Sequence, residues 1–352
     1  MNLNILKQLR EQIYASFERG GDALFNLADA LLSESQAQSL PELSQSPFFE
    51  RKWPSAYEAL EDGRINSDEL QKVFVSTLLT QMAKGEPIYV GVDATVIERA
   101  EAQTSEDRGY IHLPNLPLVE KALSVGWQYS NVVLLPQTPS SWTPVLDTRR
   151  IPTEKTAVQV AIEQLRALRP LFGDRQVIVV ADRGYATPEF LRACQDLGYH
   201  CLVRLKTDRR LYRPAKRLHP RGPIPKDGSL FQGKRKETHG EPDATACLQD
   251  AKGRTVHISR FDKLHFKQDR ELVVQVICVE REAAKDSKRD PRLSCYITLD
   301  DLIPLQEIPT HYARRFSQEH GYRFWHRRIC SGPRFMYAHL RNLNAGAGCW
   351  PL

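Results

Sequence analysis

The sequence has no pair of cysteines separated by two residues, and it has no apolar run of about 18 residues, the length that a membrane-spanning helix needs. Its seven cysteines are scattered between Cys194 and Cys349, a spacing that fits neither a zinc site nor a disulfide framework. Residues 1–21 are charged and contain no long apolar stretch, so we expect no signal peptide. These absences predict a soluble intracellular protein with reduced thiols and no membrane contact.

Positive charge is concentrated in one part of the chain. The 352 residues contain 49 Lys and Arg against 43 Asp and Glu, a net charge of +6, which by itself argues only weakly for a polyanionic partner. Residues 204–236, however, contain twelve Lys or Arg and two acids. This basic stretch is either a surface that contacts DNA phosphates or a solvated loop, and both interpretations stay open at this point.

Changes in sequence texture divide the chain into five segments. Residues 1–86 carry apolar side chains at helical spacing, which predicts a helical region for dimerisation or for binding a DNA end. Residues 87–206 read as three strands followed by alternating helices and strands, typical of a mixed α/β sheet. Residues 207–300 predict a basic, β-rich insertion. Residues 301–326 return to the core as one charged helix, and residues 327–352 form an atypical tail.

Two carboxylates follow apolar strands in the α/β segment. Asp93 follows IYVGV and Asp182 follows VIVVA, and ligands of α/β sheets bind outside the carboxyl ends of the strands. Two buried acids side by side repel each other unless a cation lies between them, and carboxylate oxygens favour Mg²⁺ or Mn²⁺. Alternatively, Asp93 caps a turn and Asp182 pairs with Arg183. Gly184 is predicted to let the backbone turn, and Asp147 is expected at the surface or as a cap.

A third acid lies on the late helix. Spacings of three, four, four and three residues separate Tyr312, Arg315, Glu319, Arg323 and His326. On one continuous helix these residues form a single stripe. Such a stripe suits a helix that brings one carboxylate to a metal site and cations to a phosphate backbone. Exposed Arg–Glu pairs four residues apart are the alternative.

The order of these motifs resembles the transposases of bacterial insertion sequences. A strand with Asp93, a strand followed by Asp-Arg-Gly-Tyr from Asp182, and Tyr-x2-Arg-x3-Glu ending at Glu319 resemble the DDE-type group with a Tyr-Arg-Glu-Lys signature. The likeness runs from Tyr89 to Phe324. It implies a ribonuclease-H-like α/β fold, with a mixed sheet, a β-rich insertion before the glutamate helix and an N-terminal helical region.

The resemblance also implies an activity and a set of site residues. The three acids, Asp93, Asp182 and Glu319, match the catalytic triad that holds two Mg²⁺ or Mn²⁺ ions. The implied reaction is DNA cleavage at the inverted-repeat ends of the element and strand transfer into target DNA, by a homodimer assembled on DNA in the bacterial cytoplasm, associated with the nucleoid.

The remaining implied residues contact DNA. Tyr312 and Arg315 match the flanking positions of the signature, and Arg315 and Arg323 are expected to hold phosphates or to order the glutamate helix. The basic stretch supplies the other predicted contacts to DNA, namely Arg209, Arg210, Arg213, Lys216, Arg217, Lys234, Arg235 and Lys236.

The sequence departs from the signature after the glutamate. His326 stands where the family has Lys, and histidine is shorter and mostly neutral at pH 7. The tail lacks the apolar periodicity of a closing helix, and a shift of reading frame near codons 325–327 would restore a family-like sequence, so we expect a frameshifted C-terminus.

Three other functions remain open. The first is a catalytically inactive DNA-binding remnant of a transposase, and the second is a nuclease that cuts without joining. The third is a haloacid-dehalogenase-like phosphatase, which would need an acid where Thr95 stands.

Overall fold

The computed structural model describes residues 3–34, 36–37, 39–112, 123–138, 140, 142–217, 223–251, 253–282 and 292–325. At position 292 and at positions 323–325 only the backbone is described. His326 and the tail 327–352, on which two of the predictions above bear, lie outside these ranges.

The first part of the chain folds into short helices around an apolar cluster. In chain order these are α1 (Leu3–Ala15), α2 (Gly21–Ser33), α3 (Leu40–Leu43), α4 (Pro54–Asp62) and α5 (Ser67–Thr80), with a two-stranded ribbon of β1 (Phe17–Arg19) and β2 (Arg64–Ile65). The side chain of Asn66 caps α5 by accepting a hydrogen bond from the Glu69 N–H at 3.1 Å, as expected of Asn before a helix. Leu24, Leu27 and Leu60 lie in the cluster.

The core consists of a central sheet of five strands with two helices that pack on it. They are β3 (Ile88–Glu98), β5 (Leu123–Leu134), β6 (Val145–Ile151), α6 (Ala157–Leu168), β7 (Val177–Ala181), α7 (Pro188–Asp196) and β8 (His200–Leu205). Their order across the sheet is β6–β5–β3–β7–β8, with β3, β7 and β8 parallel and β5 antiparallel to both of its neighbours. This 3-2-1-4-5 order confirms the predicted ribonuclease-H-like mixed sheet. A short edge strand, β4 (Gly109–His112), pairs with β5 and was not predicted.

The β-rich insertion continues the same sheet instead of forming a separate layer. Its strands are β9 (Leu211–Tyr212), β10 (Leu230–Phe231), β11 (Ala244–Gln249), β12 (Thr255–His265), β13 (Val273–Arg281) and β14 (Arg292–Thr298). Strand β14 pairs antiparallel with β8, and β13 and β12 follow outward. The described strands therefore join into one sheet of twelve, because the exposed edge of β8 finds a partner in the insertion.

Local sequence explains how the two core helices begin. Thr156 and Gln159 form a reciprocal capping box at the start of α6, and Thr187 caps α7 by accepting from the Phe190 N–H, with Pro188 at the first helical position. Both patterns satisfy backbone N–H groups that a helix start leaves unpaired.

The sheet has an apolar cluster on each face. Val75 of α5, Leu165 of α6 and Phe190 of α7 pack on one face with even-numbered residues of β3, such as Val90. The other face carries Tyr89, Ile178 and Val180. It is covered by two late helices, α8 (Ile308–Ala313) and α9 (Phe316–Trp325).

The late helical segment is broken, whereas the sequence predicted one continuous helix. Between α8 and α9, the N–H groups of Arg314, Arg315, Ser317 and Gln318 bond to carbonyls three residues back. These tight turns separate α8 from α9, so the part of the predicted stripe from Tyr312 to Glu319 does not lie on one continuous helix.

None of the helices in the described part of the chain combines the length and the apolar character that crossing a membrane requires.

Candidate active site

The sheet places Asp93 and Asp182 side by side. Parallel pairing between β3 and β7 ends at Val92 and Ala181, so Asp93, within β3, lies beside Asp182, the residue that directly follows β7. The sequence predicted Asp93 at the end of its strand. That prediction is wrong, because β3 continues to Glu98 through antiparallel pairing with β5. Alternation along a strand directs both acids to the face covered by α8 and α9.

Arg315 links the first acid to the third. Its Nη2 donates to Asp93 Oδ2 at 2.9 Å, and its Nη1 donates to Glu319 Oε1 at 2.9 Å. The guanidinium is largely buried, with 8% of the side chain exposed, whereas Glu319 is 41% exposed. The break between α8 and α9 thus carries a buried cation onto β3, and the next turn of α9 presents Glu319 beside it.

Burial dominates the protonation of Asp93. It raises the pKa of Asp93 from 3.8 to about 6; the Arg315 charge and the Ala94 N–H oppose this rise, and the charges of Asp182 and Glu319 add to it. For Arg315, burial by itself would lower the pKa, but the surrounding acids, Asp93 first, raise it. The three carboxylates therefore act on one another through a common environment, with one buried guanidinium to balance them.

Aromatic packing holds α8 on the sheet. Tyr312 is 3% exposed, and its ring centroid lies 4.7 Å from that of Tyr296 on β14. His311 stacks on Tyr89 at 4.9 Å, and the Arg314 guanidinium lies 4.1 Å from the Tyr89 ring centre. Because Tyr312 is packed in this cluster, little of it is accessible, and its predicted contact with DNA stays a prediction.

The surroundings of Asp182 are more open. Asp182 is half-buried, and Arg183 and Gly184 are exposed. Among the described residues no ion pair of Asp182 with Arg183 or another cation is formed. Gly184 has no positive φ, and a Cβ there would meet no atom within 4 Å. The turn after β7 therefore does not require glycine, contrary to the expectation from sequence.

Arg204 is a further candidate site residue, which was not predicted from the sequence. Parallel pairing of β7 with β8 aligns Ala181 with Val203, so Arg204 lies level with Asp182 on the next strand. It is exposed, and Leu202, two residues earlier, packs on the face that carries the acids. The signal in the sequence was the strand HCLVRL itself, in which one charge interrupts an apolar run just before its end.

A buried polar group behind the acids was also missed. Asn131 on β5 is paired in register with Asp93, and its Oδ1 accepts a hydrogen bond from Thr148 at 2.8 Å. Gln318 of α9 lies 3.5 Å from the Asn131 carbonyl oxygen. Asp147, expected at the surface, is 3% exposed and pairs with Arg149 at 2.9 Å.

The predicted DNA-contacting cations differ in how far they are engaged within the protein. Arg209 lies 5.3 Å from the centre of the Phe266 ring, Arg213 donates to the His239 carbonyl, and Lys236 pairs with Glu280 at 2.8 Å. The other five predicted cations of the basic stretch are exposed, namely Arg210, Lys216, Arg217, Lys234 and Arg235. The backbone of Arg323 lies in α9, and its side chain is outside the described part.

The three acids have the chemistry to bind a divalent cation. In this structure, however, two of them bind the guanidinium of Arg315. In the described ranges, no three His, Cys, Asp or Glu side chains are grouped closely enough to hold a metal ion, because Arg315 lies between Asp93 and Glu319. Carboxylate oxygens are the donors that Mg²⁺ and Mn²⁺ prefer. By its chemistry the donor set suits a divalent cation, but in this arrangement two of the three acids are paired with Arg315.

The strand order and the acidic cluster beside it define the class as a ribonuclease-H-like α/β protein. The sequence matches the family model described as DDE superfamily endonuclease over residues 12–262, more than half of the chain. The chain therefore belongs to the DDE superfamily endonucleases, as the motifs predicted. The match includes Asp93 and Asp182 and ends before Glu319.

Comparisons with individual proteins add little to the family assignment. No curated protein matches the chain. Among solved structures, the cryo-EM structure of the piggyBac transposase synaptic complex with hairpin DNA has a TM-score of 0.43 and 8% identity, over 88% of this chain and 60% of that chain. This chain therefore spans less than two thirds of the length of that protein, and the likeness is too weak to transfer any property.

Proposed function

We propose that this chain is the DNA transposase of a bacterial insertion element, cutting DNA at the element ends and joining them to target DNA. One observation carries the proposal. Asp93 and Glu319, distant in sequence, both bond Arg315, and Asp182 follows the strand adjacent to Asp93, at the carboxyl ends of the parallel strands of a ribonuclease-H-like sheet in a DDE superfamily endonuclease.

The three acids would hold divalent ions, Mg²⁺ or Mn²⁺. When bound, two such ions supply activation of the attacking hydroxyl and stabilisation of the leaving oxygen. Strands β3 and β7 would fix two of the ligands rigidly, and α9 would bring the third. Because ligand geometry must be held closely for such chemistry, it matters that Asp93 lies within β3 and that Asp182 directly follows the neighbouring strand β7.

Arginines near the acids would bind the substrate backbone. Arg204 is exposed and level with Asp182, which suits a contact to the phosphate that is attacked. Arg315 would exchange its carboxylate partners for a phosphate when cations compensate the acids. The exposed cations of residues 209–217 and 234–236 would hold the flanking DNA without sequence preference.

An inactive DNA-binding remnant is the second candidate, and the position of Arg315 favours it. A guanidinium bonded to Asp93 and Glu319 is a stable alternative to a bound ion. If Arg315 does not leave, the acids cannot coordinate metal, and only DNA binding through the basic stretch remains.

Incubating the full chain with labelled element ends and Mn²⁺ separates these candidates. Nicking that is lost in Asp182→Ala supports a metal-dependent nuclease, and joined products identify a transposase. Asp174→Ala, which removes an exposed acid of the same chain, should cut like the wild type. Steeply salt-dependent binding without nicking identifies the remnant and refutes the proposed activity.

A further inference from the structure

Helix α9 directs a polar side chain into the interior immediately before Glu319. Gln318 is 1% exposed, and a buried amide costs free energy unless its polar atoms are bonded. An aliphatic residue would be the simpler choice for packing a helix on a sheet. Ile308 has that role in α8, where it lies in the apolar cluster. The amide of Gln318 therefore needs a reason beyond burial.

The Gln318 amide contacts strands β3 and β5 and the following turn of its own helix. Its Nε2 donates to Tyr322 Oη at 2.7 Å and lies 3.5 Å from the Asn131 carbonyl oxygen on β5. Its Oε1 has no hydrogen-bond partner in the described part of the chain and lies against β3. A Cβ at Gly91 would come within 2.6 Å of this Oε1, so the helix approaches as closely as it does because position 91 has no side chain.

The two strand residues that the amide contacts, Gly91 and Asn131, are both neighbours of Asp93 in the sheet. Gly91 precedes Asp93 by two residues and lies on the same face of β3, and Asn131 is paired with Asp93 in register. On the helix, the residue after Gln318 is Glu319. The amide is therefore a second link, besides Arg315, between the element that carries the first acid and the element that carries the third.

We propose that Gln318 is a positioning residue that sets the distance and the rotation of α9 relative to β3, and thereby the place at which Glu319 meets Asp93 and Asp182. The one hydrogen bond that joins the amide to the sheet, from Nε2 to the Asn131 carbonyl oxygen, is directional, whereas apolar contacts are not. Together with the close approach of Oε1 to Gly91, it constrains the rotation of the helix as well as its depth. The inference rests on the proposed function, since it assigns Gln318 a role toward the cations that the three acids would bind.

Titration of the full chain with MnCl₂ by calorimetry tests the role without relying on activity. Gln318→Leu keeps the volume and removes the directional contacts, and we expect the Kd for Mn²⁺ to rise about tenfold, the size typical of groups that orient metal ligands. Gly91→Ala alters the strand side of the same contact and should raise the Kd similarly, because the new Cβ displaces Gln318. If Gln318→Leu is not obtained folded, Gly91→Ala gives the answer alone.

Gln164 provides a matched control on the opposite face. It is 0% exposed, and it bonds the Ser130 hydroxyl and carbonyl at 2.6 and 3.1 Å from α6. Gln164→Leu should lower the melting temperature as Gln318→Leu does, and leave the Kd for Mn²⁺ unchanged.

The benchmark Asp182→Asn distinguishes two kinds of failure. If Asp182→Asn weakens Mn²⁺ binding while Gln318→Leu and Gly91→Ala bind like the wild type, the positioning role is wrong and the proposed function stands. If Asp182→Asn also binds Mn²⁺ unchanged, the proposed metal site itself is wrong. A loss of affinity in Gln164→Leu equal to that in Gln318→Leu would reduce the effect to general destabilisation and overturn the inference.

Discussion

Replacing Asp93 by Asn should remove a pH dependence of stability that the wild type shows above pH 5. Burial raises the pKa of Asp93 from 3.8 to about 6, so the folded protein binds this proton more tightly than the unfolded chain. The stability contributed by Asp93 is therefore complete below about pH 3.8 and is lost as the pH rises through about 6.

The magnitude follows from the two pKa values. One pKa unit corresponds to about 1.4 kcal/mol, so the full loss is roughly 3 kcal/mol, and linkage places about 1.4 kcal/mol of it between pH 5 and pH 8. In Asp93→Asn this titration is absent, while Arg315 keeps its charge throughout. The free energy of unfolding of the wild type should therefore fall by about 1.4 kcal/mol relative to that of Asp93→Asn over this interval.

Urea denaturation at pH 5 and at pH 8, without divalent cations, measures this difference. Asp174→Asn, which removes an exposed carboxylate, should give a curve parallel to that of the wild type. If Asp93→Asn also runs parallel to the wild type, the burial of Asp93 does not govern its protonation, and the electrostatic description of the site is wrong. Adding Mn²⁺ at pH 8 should recover part of the loss in the wild type, since bound cations favour the ionised carboxylate.

Three further predictions concern the cation, the basic surface and the close approaches of the backbone. Arg315→Met should destabilise the protein in urea by about 3–5 kcal/mol, the cost of leaving one partner of a buried pair alone; an unchanged midpoint would contradict a buried role. Three alanines at 234–236 should weaken binding to every DNA sequence and reduce the slope of log K against log salt by at most about 3; an unchanged slope would remove these cations from the interface. Gly126→Ala should lower the free energy of unfolding by about 1–3 kcal/mol, because the new Cβ would come within 2.2 Å of the Ile97 carbonyl oxygen. Gly184→Ala should change the free energy of unfolding by less than about 0.5 kcal/mol. Equal shifts of the two variants in thermal melts would contradict this difference.

Much of the core could be predicted from the sequence because its signals are local. The apolar run before Asp182 has five buried residues, and the amphipathic pattern of residues 157–168 is that of a helix packed on one face. The order of strands and helices then restricts the topology, since parallel strands need crossover connections. The prediction that Asp93 and Asp182 are neighbours followed from that restriction.

The features that could not be predicted depend on pairing between distant segments. Strand β3 runs past Asp93 to Glu98 only because β5 pairs with it along its whole length. The break before Phe316 has no Pro or Gly to announce it, and it forms where Arg315 reaches Asp93 across 222 positions of sequence. Helical periodicity assumes a continuous axis, so it placed the signature residues on one stripe.

Gln318 illustrates a different limit of sequence reasoning. Between Ser317 and Glu319 it reads as one more polar residue on a charged helix, and helical periodicity cannot distinguish an exposed Gln from a buried one. Only the register of Gly91 and Asn131 beneath it shows that the amide is enclosed. A lone glycine inside an apolar strand is the one clue in the sequence, because such glycines mark places where another segment approaches closely.

The acidic site also explains why stability and chemistry should oppose each other in this protein. An ionised Asp93 is costly to bury, and Arg315 offsets that cost only while it stays bonded to the carboxylates, whereas the proposed chemistry requires it to leave. Substitutions that remove the cost of an ionised Asp93 near neutral pH should therefore be those that abolish cutting, as expected where a functional site carries unfavourable electrostatics. A variant at Asp93 that gained stability at pH 8 and retained Mn²⁺-dependent nicking would show that the acid is neither the source of the cost nor part of the chemistry.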